Sequence, residues 1–324
     1  MEVKEAGPIG AYYARLGHWT AVARVFGYGG GRETLTIHRA LADPLAGGRL
    51  TTTRLHDLII KYIGSTEHVG SEQHLGSAQA SSPRVEVLAV DDLDVLDAGC
   101  GFGGTMIALW QRFGGRYTGL TLSESQAATG RRAVERLGLG DAIGFRVQSY
   151  DVPPAGPFDL IVAIESLAHS PHPAVSVAAL ARVLSPGGRL IVVDDMPETA
   201  GVDEPVDLEA SRGRVEADDA ENLRTFKNGW QCPVLWNAAQ YREAFATLGL
   251  APVLDVDLTS SCRPRSLARI RWLERLNRAV RVLVPAAAWR SVLDSYRAGL
   301  ALERLHRSGR VRYRLLVAER SSHT

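Results

Sequence analysis

Five short apolar runs, each about the length of a strand, occur in the middle of this 324-residue chain and begin near residues 93, 116, 144, 158 and 186. Helices are predicted between them. Ser123, followed by Gln126, is a typical helix start, because the serine oxygen accepts a hydrogen bond from the third helical amide. Strands that alternate with helices predict an α/β fold for residues 93–197.

The flanking regions have a different character. Residues 1–92 are predicted as a helical N-terminal region that contains a flexible loop at 65–84, rich in Ser and Gly. An active-site lid and a plain insertion are both open for this loop, and the insertion is favoured. Residues 198–324 are predicted as a cap segment, the last strands of the sheet and basic C-terminal helices. The acids between 198 and 224 indicate a solvated helical face rather than a metal site.

Net charge, cysteine spacing and the length of apolar runs indicate which partners and which cellular compartment to expect. The formal net charge is only +1, which gives no reason to expect a nucleic-acid partner. Cys100, Cys232 and Cys262 lie far apart without a metal-binding spacing, which predicts free thiols and a reducing compartment. No apolar run approaches the roughly 20 residues that cross a bilayer, so stable membrane insertion is not expected. We expect a cytoplasmic protein, and a homo-oligomer is compatible with the sequence.

The last part of the chain is strongly basic. Residues 263–324 contain 15 arginines and 4 acids, a local excess of +11 before histidines. Residues 267–284 have the pattern of a basic amphipathic helix. Such a helix suits a membrane surface or anionic substrates, but packing on the cap with its arginines in solvent is the favoured role. Residues 311–320 are predicted as the final strand.

The most informative motif is a glycine-rich turn that follows the first apolar run, VLDAGCGFGG at Val95–Gly104. Asp97 precedes three alternating glycines: Gly99, Gly101 and Gly103. Glycines permit a tight turn and let the backbone approach a ligand closely, and the next helix directs its first amides at bound negative charge. The motif predicts a nucleotide-type cofactor site.

This spacing, D-x-G-x-G-x-G-G, resembles motif I of the class I S-adenosylmethionine-dependent methyltransferases. Residues 116–126, RYTGLTLSESQ, resemble a signature of the small-molecule enzymes of that class, which act on tocopherols, sterols and geranyl diphosphate. The resemblance extends over residues 93–320. It implies a Rossmann-like seven-stranded methyltransferase sheet with helices on both faces, plus helical N-terminal and inserted cap elements. In that fold the final strand is antiparallel and closes the sheet edge next to the fifth strand.

The resemblance also implies S-adenosyl-L-methionine as cofactor and a set of residues that hold it. Two positions depart from the family pattern: no acid ends the second strand, and a serine stands where relatives often have aspartate in the third. The predicted cofactor residues are Asp97, Gly99, Gly101, Gly103, Thr121, Leu122, Gln126, Ser149, Tyr150 and Glu165.

Two residues after the fourth strand are the predicted catalytic groups. Glu165 belongs to an E-S pair that also occurs in prenyl diphosphate and tocopherol-type methyltransferases. An alkene that attacks a sulfonium methyl becomes a carbocation, which a carboxylate would stabilise. We therefore predict C-methylation of an isoprenoid, foremost a prenyl diphosphate. Two alternatives stay open: O- or N-methylation of an aromatic or polyketide-like natural product with His169 as base, and cofactor binding without transfer.

Acceptor binding would require apolar and cationic side chains. Aromatic faces stabilise a nearby cation, and basic groups bind a diphosphate, with Mg²⁺ as a further cofactor in that case. No metal site made of protein ligands is predicted. The predicted acceptor-binding residues are Tyr13, Trp19, Arg32, His38, Arg39, Trp230 and Trp236.

Overall fold

An eight-stranded mixed sheet lies at the centre of the protein in a computed structural model that describes residues 35–63, 73–74, 93–199, 212–283 and 287–322. A separate two-stranded hairpin precedes it, formed by β1 (Leu41–Asp43) and β2 (Arg49–Thr51). The sheet strands are β3 (Gln73–His74), β4 (Asp94–Ala98), β5 (Arg116–Thr121), β6 (Ile143–Val147), β7 (Phe158–Ile164), β8 (Leu184–Pro197), β9 (Leu250–Asp257) and β10 (Val311–Arg320).

The strand order is β3-β9-β10-β8-β7-β4-β5-β6, and strands β4 to β8 are mutually parallel. The predicted seven-stranded methyltransferase sheet is confirmed, with β3 as a two-residue addition parallel to β9 inside the segment predicted as a loop. One detail of the prediction is wrong. β10 does not close an edge, because it is antiparallel to β8 on one side and to β9 on the other.

Helices connect the strands and cover both faces of the sheet. Ser123 caps one of them through a 3.4 Å bond from the Gln126 amide, as predicted, and Asn237 and Gln240 form a reciprocal capping box on another. The helices are α1 (Thr53–Ile63), α2 (Gly104–Phe113), α3 (Glu124–Arg136), α4 (Pro173–Arg182), α5 (Arg212–Trp230), α6 (Ala238–Thr247), α7 (Leu267–Leu283) and α8 (Ala287–Ser308).

Alternate strand residues face two separate cores. Val95 and Ile191 belong to the core beneath α1, α2 and α3, whereas Leu96, Ile161 and Val192 belong to the core beneath α4 and α6. Side chains of successive strand residues point to opposite faces, so a strand that is apolar at every position is buried on both sides. Helices on both faces are therefore confirmed.

The cap lies at the carboxyl edge of the parallel strands. A third apolar cluster joins α5 and α8 to Ala168, which follows β7, and to Val311, the first residue of β10. The acids of α5 were predicted to be solvated, and Glu221 is exposed as expected. Asp219 is instead buried, with Arg310 at 3.6 Å, because it faces the start of β10.

Two predictions made from composition concern the cysteines and membrane-spanning helices. The three cysteines are free thiols, as their spacing predicted. Among the helices that the structure describes, none has the length and apolar content needed to span a lipid bilayer.

Candidate functional site

The glycine-rich turn joins β4 to α2 and packs directly against the end of β7. Gly99 has a φ of +100°, and a Cβ there would lie 2.5 Å from the Ser166 Cβ. Gly103 caps α2 in a left-handed conformation and provides no side-chain bond to the first helical amides. These amides therefore remain available to a ligand, in the manner of helix N-termini that bind anionic groups.

Asp97 provides a buried carboxylate beside this turn. Its side chain is 3% exposed and has no hydrogen-bond partner in the described part of the chain. Burial raises the pKa of Asp97 to about 7. A buried carboxylate without a partner is costly, and a cationic ligand group would relieve that cost. Ser166 Oγ is also buried and has no hydrogen-bond partner among the residues that the structure describes.

The predicted residues of the second strand form a closed turn of their own. Thr121 Oγ1 donates to Gln126 Oε1 at 2.7 Å and accepts from the Ser123 amide at 3.1 Å. Leu122 is half-buried between them. Thr121 and Gln126 thus fix the β5–α3 turn at the same edge of the sheet as the glycines.

The residues after β6 connect the third strand to the fourth. The Ser149 hydroxyl donates to Asp151 Oδ2 and accepts from the Asp151 amide, both at 3.1 Å. The Tyr150 hydroxyl donates to the Ser166 carbonyl at 3.0 Å. The sequence prediction did not single out Asp151. The signal was present, since the acid expected near Ser149 stands two positions later.

Glu165 occupies an unusual backbone conformation immediately after β7. Its φ is +49°, and its amide donates to the Val193 carbonyl at 2.7 Å. Carboxylate oxygen Oε1 accepts from the Tyr313 hydroxyl at 2.8 Å and from the Arg39 amide at 2.9 Å. A non-glycine residue in this region of φ is strained, so the surrounding contacts hold it there. The carboxylate is therefore fixed in position before any ligand binds.

Behind Glu165, a buried charged cluster connects three elements. Arg39 Nη2 donates to Asp195 Oδ2 at 2.9 Å, and His306 Nε2 lies 2.8 Å from Asp195 Oδ1. The Arg39 guanidinium also lies over the Tyr313 ring, 4.9 Å from its centre. Asp195 is on β8 and His306 on α8. The cluster thus connects the cap to the base of the site.

Burial and neighbouring charges shift the pKa values within this cluster. Arg39 Nη1 lies 3.1 Å from His306 Nδ1 and 3.4 Å from Nε2, so the guanidinium lies over the imidazole ring. Burial, the largest cause, lowers the pKa of His306, which favours its neutral form beside the Arg39 charge. Burial acts to raise the pKa of Asp195, but the charge of Arg39 and the bond from His306 hold it below its ordinary value. The pair Arg39–Asp195 therefore carries the compensating charges.

His169 and Asp194 are two further buried titratable groups, one just after β7 and one on β8. His169 ends a short helical turn, Leu167–His169, and its Nδ1 is 3.2 Å from the Gln231 carbonyl; burial lowers its pKa. Asp194 accepts from the amides of Ala168 and Asp195. Burial, the largest cause, raises the pKa of Asp194 to about 8.

The predicted acceptor residues are dispersed. His38 is buried, and its Nε2 lies 2.9 Å from His56 Nε2. Burial lowers the pKa of both rings, that of His56 to about 3. Trp230 donates to the Ser295 carbonyl on α8, and Trp236 packs edge-on against a tyrosine of α6. Of these residues, Arg39 directly contacts Glu165. Outside the described residues lie Tyr13, Trp19 and Arg32.

A short segment crosses the glycine-rich turn, and we call residues 35–39 the strap. A Cβ on Gly104 would lie 2.4 Å from Thr36 Oγ1, and one on Gly101 would lie 2.8 Å from Ile37 Cδ1. The strap ends at Arg39, whose amide bonds Glu165. It therefore connects the cofactor side of the site with the carboxylate. Sequence reasoning missed the strap, because its contacts are with residues distant in the chain.

A family model described as a methyltransferase domain matches residues 95–188, which extend from β4 into β8. The chain carries a class I S-adenosylmethionine-dependent methyltransferase domain. The glycine-rich turn, Asp97 and Glu165 all lie within the matched residues. The strap, Tyr313 and His306 lie outside them. The motif and the sheet topology agree with this membership, and the resemblance seen in the sequence is confirmed.

Relatives of this methyltransferase domain have diverse names. A probable chloroplastic tocopherol O-methyltransferase of Oryza sativa subsp. japonica is 30% identical over 172 residues, 52% of this chain and 45% of that protein. A 27-O-demethylrifamycin SV methyltransferase of Amycolatopsis mediterranei (strain S699) is 29% identical over 206 residues, 63% of this chain and 71% of that protein. The matched part thus spans less than half of the tocopherol relative.

A solved structure shares the whole fold. Geranyl diphosphate C-methyltransferase from Streptomyces coelicolor A3(2), solved with Mg²⁺, geranyl-S-thiolodiphosphate and S-adenosyl-L-homocysteine, superimposes with a TM-score of 0.64 at 19% identity. The match covers 98% of this chain and 99% of that one. At this identity the likeness concerns the architecture, because one fold supports many acceptors.

Proposed function

We propose that this methyltransferase-domain protein transfers a methyl group from S-adenosylmethionine to a carbon atom of a small, largely apolar acceptor. The supporting observation is the Glu165 carboxylate. Its Oε1 is held by Tyr313 and Arg39, while Oε2 has no hydrogen bond in the described residues. The neighbouring Ser166 packs on Gly99. A fixed carboxylate thus lies beside the turn that would hold the methyl donor.

The residues present fit the cofactor. Asp97 offers an unpartnered buried carboxylate to an ammonium group, and the uncapped amides of α2 and the Ser166 hydroxyl offer donors. Gly99 allows close backbone approach. Thr121, Leu122, Gln126, Ser149 and Tyr150 remain the predicted ribose and adenine contacts. When bound, S-adenosylmethionine supplies an electrophilic methyl group on a sulfonium.

The protein's own residues would control the charge that follows transfer. As the acceptor carbon bonds to the methyl group and the sulfur–methyl bond breaks, positive charge moves onto the acceptor. Glu165 would stabilise this charge through Oε2, and the same oxygen would take a proton from a neighbouring carbon to give an alkene. Tyr313 and the Arg39 amide keep the carboxylate from rotating, so little reorganisation accompanies the step.

Cofactor affinity is expected to rise with pH because of Asp97. Its pKa is about 7, and the ionised form is the one that binds an ammonium group. Below pH 7 the carboxyl must lose its proton first, so affinity for S-adenosylhomocysteine should fall about tenfold per pH unit and level off above pH 7. Titration calorimetry from pH 5.5 to 8 measures this. Asp97→Asn should bind weakly with no such slope, and a flat wild-type profile would contradict the assignment.

A prenyl diphosphate is the first acceptor class that we propose. Its apolar isoprenoid chain contains an alkene, and methylation of that alkene would give the carbocation that Glu165 would stabilise. The test incubates the protein and S-adenosylmethionine with isopentenyl, dimethylallyl, geranyl and farnesyl diphosphates, with and without Mg²⁺. We expect a product heavier by one CH₂ unit in mass spectra. Within the described residues no three His, Cys, Asp or Glu side chains are placed to hold a metal ion, so Mg²⁺ enters as a variable of the experiment. Bound cofactor without product would refute this acceptor class.

A natural-product hydroxyl is the second candidate acceptor, and the rifamycin-type relative favours it. His169 would then be the base, with burial keeping the ring neutral, the form that accepts a proton. The two functions make opposite demands on the site. Loss of turnover in Glu165→Gln with tolerance of His169→Ala supports carbon methylation, whereas the reverse supports oxygen methylation. Cofactor binding without turnover on either class would support the third function.

A further inference from the structure

Helix α7 uses one face to pack on α8. Ile270 and Asn277 are buried, and the Asn277 amide donates to the Leu293 carbonyl of α8 at 3.1 Å. Glu274 pairs with Arg304 of α8 at 2.7 Å. These positions recur at three- and four-residue intervals and form one side of the helix. The polar side chains Asn277 and Glu274, on the side of α7 that packs on α8, therefore have partners.

The opposite face of α7 is apolar and exposed. Trp272 is 59% exposed and Leu276 is 46% exposed, one turn apart. Ala268 and Ala279 lie on the same side by helical periodicity, and both are exposed. A large aromatic side chain in solvent beside a leucine is an unpartnered contact surface. We call these four residues the α7 stripe.

Positive charge flanks the stripe on both sides. Arg269 lies along one edge, and Arg271 and Arg275 lie along the other, whereas Arg278 lies nearer α5 and lines a polar cleft with Asp218 and Glu221. All four arginines are exposed, and in the described part of the chain none has an ion-pair partner. The sole acid of α7, Glu274, faces α8. The outer face of α7 thus carries three arginines, at 269, 271 and 275, and no acid of that helix.

These charges distinguish between the occupants of such a face. A second copy of this chain in a twofold dimer would place arginines against arginines, which is unfavourable. Duplex nucleic acid would attract the arginines but would offer no apolar contact to Trp272 and Leu276. An anionic lipid surface uses both, because its phosphates attract arginines while its interface accepts indole and leucine side chains.

We propose that the α7 stripe and its three flanking arginines dock the protein on an anionic lipid surface. Trp272 and Leu276 enter the interfacial region, and the arginines contact lipid phosphates. α7 lies along the surface and does not cross it. The role is independent of the reaction at Glu165, and it assigns the basic helix to the membrane role that the sequence left open.

Sedimentation of the full chain with vesicles tests this directly. We expect binding to phosphatidylcholine vesicles that contain phosphatidylglycerol, little binding to phosphatidylcholine alone, and loss of binding in high salt. The triple variant Arg269→Gln, Arg271→Gln, Arg275→Gln should lose about tenfold or more in partition. A matched triple of exposed arginines elsewhere, at 132, 136 and 146, changes the charge equally and should retain most binding.

The apolar part has its own readout. Trp272→Glu should reduce vesicle binding without changing the melting temperature, and the blue shift of tryptophan emission on vesicle addition should disappear in Trp272→Phe. Equal losses in the two arginine triples would overturn the proposal, as would absence of wild-type binding. A wild-type dimer that Trp272→Glu converts to monomer, or duplex DNA binding that requires the α7 arginines without vesicle binding, would also overturn it.

Discussion

Glu165→Gln is expected to lower turnover by about 10²–10³-fold, the loss typical when one preorganised electrostatic group is removed from an active site. Glutamine has nearly the same size as glutamate and the same conformational strain at a φ of +49°. The variant therefore removes the charge without changing the strain of the backbone. The loss of turnover is measured by single-turnover mass spectrometry with an acceptor that the wild-type protein methylates. Affinity for S-adenosylhomocysteine should vary by less than the turnover, because the carboxylate acts on the acceptor.

Tyr313→Phe is the matched control for this experiment. It removes the 2.8 Å hydrogen bond to Glu165 but keeps the carboxylate charge. We expect a loss of about fivefold, since one neutral donor is worth about 1 kcal/mol. If Glu165→Gln turned over within threefold of the wild type, charge stabilisation by this residue would have to be abandoned.

Asp195→Ala should lower the free energy of unfolding by about 3–5 kcal/mol at neutral pH, because it leaves Arg39 as a buried charge without its carboxylate. The Asp195 side chain is 3% exposed and that of Arg39 17%. The pKa of Asp195 is below its ordinary value, so its stabilising contribution is present above the pKa of an unfolded aspartate and is lost as pH falls through the folded value. The cost of the variant should therefore shrink in acid. Urea unfolding at two pH values measures both effects.

An exposed ion pair provides the comparison. Arg116 and Asp94 approach within 2.8 Å, but their side chains are 62% and 35% exposed. Asp94→Ala should cost less than about 1 kcal/mol, because water screens the pair. Equal costs for the two aspartates would mean that the buried cluster does not hold the strap in place.

The cofactor side of the site was predictable because its residues are close in sequence. Asp97 and the three glycines occupy one turn, and Ser123 and Gln126 occupy another, so spacing alone indicates their geometry. Glu165 was also accessible, since it ends an apolar strand and its chemistry suits a carbocation. In each case the pattern of neighbouring residues in the sequence predicts where the residue lies in the fold.

The acceptor side was not predictable in the same way. Tyr313, Asp195 and His306 meet through strand pairing and helix packing between distant parts of the chain. Arg39 was predicted to bind acceptor, but no pattern showed that its guanidinium is bonded to Asp195. Two adjacent acids near the end of β8 were an available signal, because a buried strand rarely contains two neighbouring carboxylates without partners.

The place of β10 in the sheet has a consequence for how the protein assembles. This strand pairs with β8 more than a hundred residues earlier in the chain and separates it from β9. Such distant pairing is slow, because a long loop must close before the contacts form. Strands β4 to β7, which carry the glycine-rich turn, need no such closure. We therefore expect a folding chain to become able to hold its cofactor before Tyr313 arrives to orient Glu165.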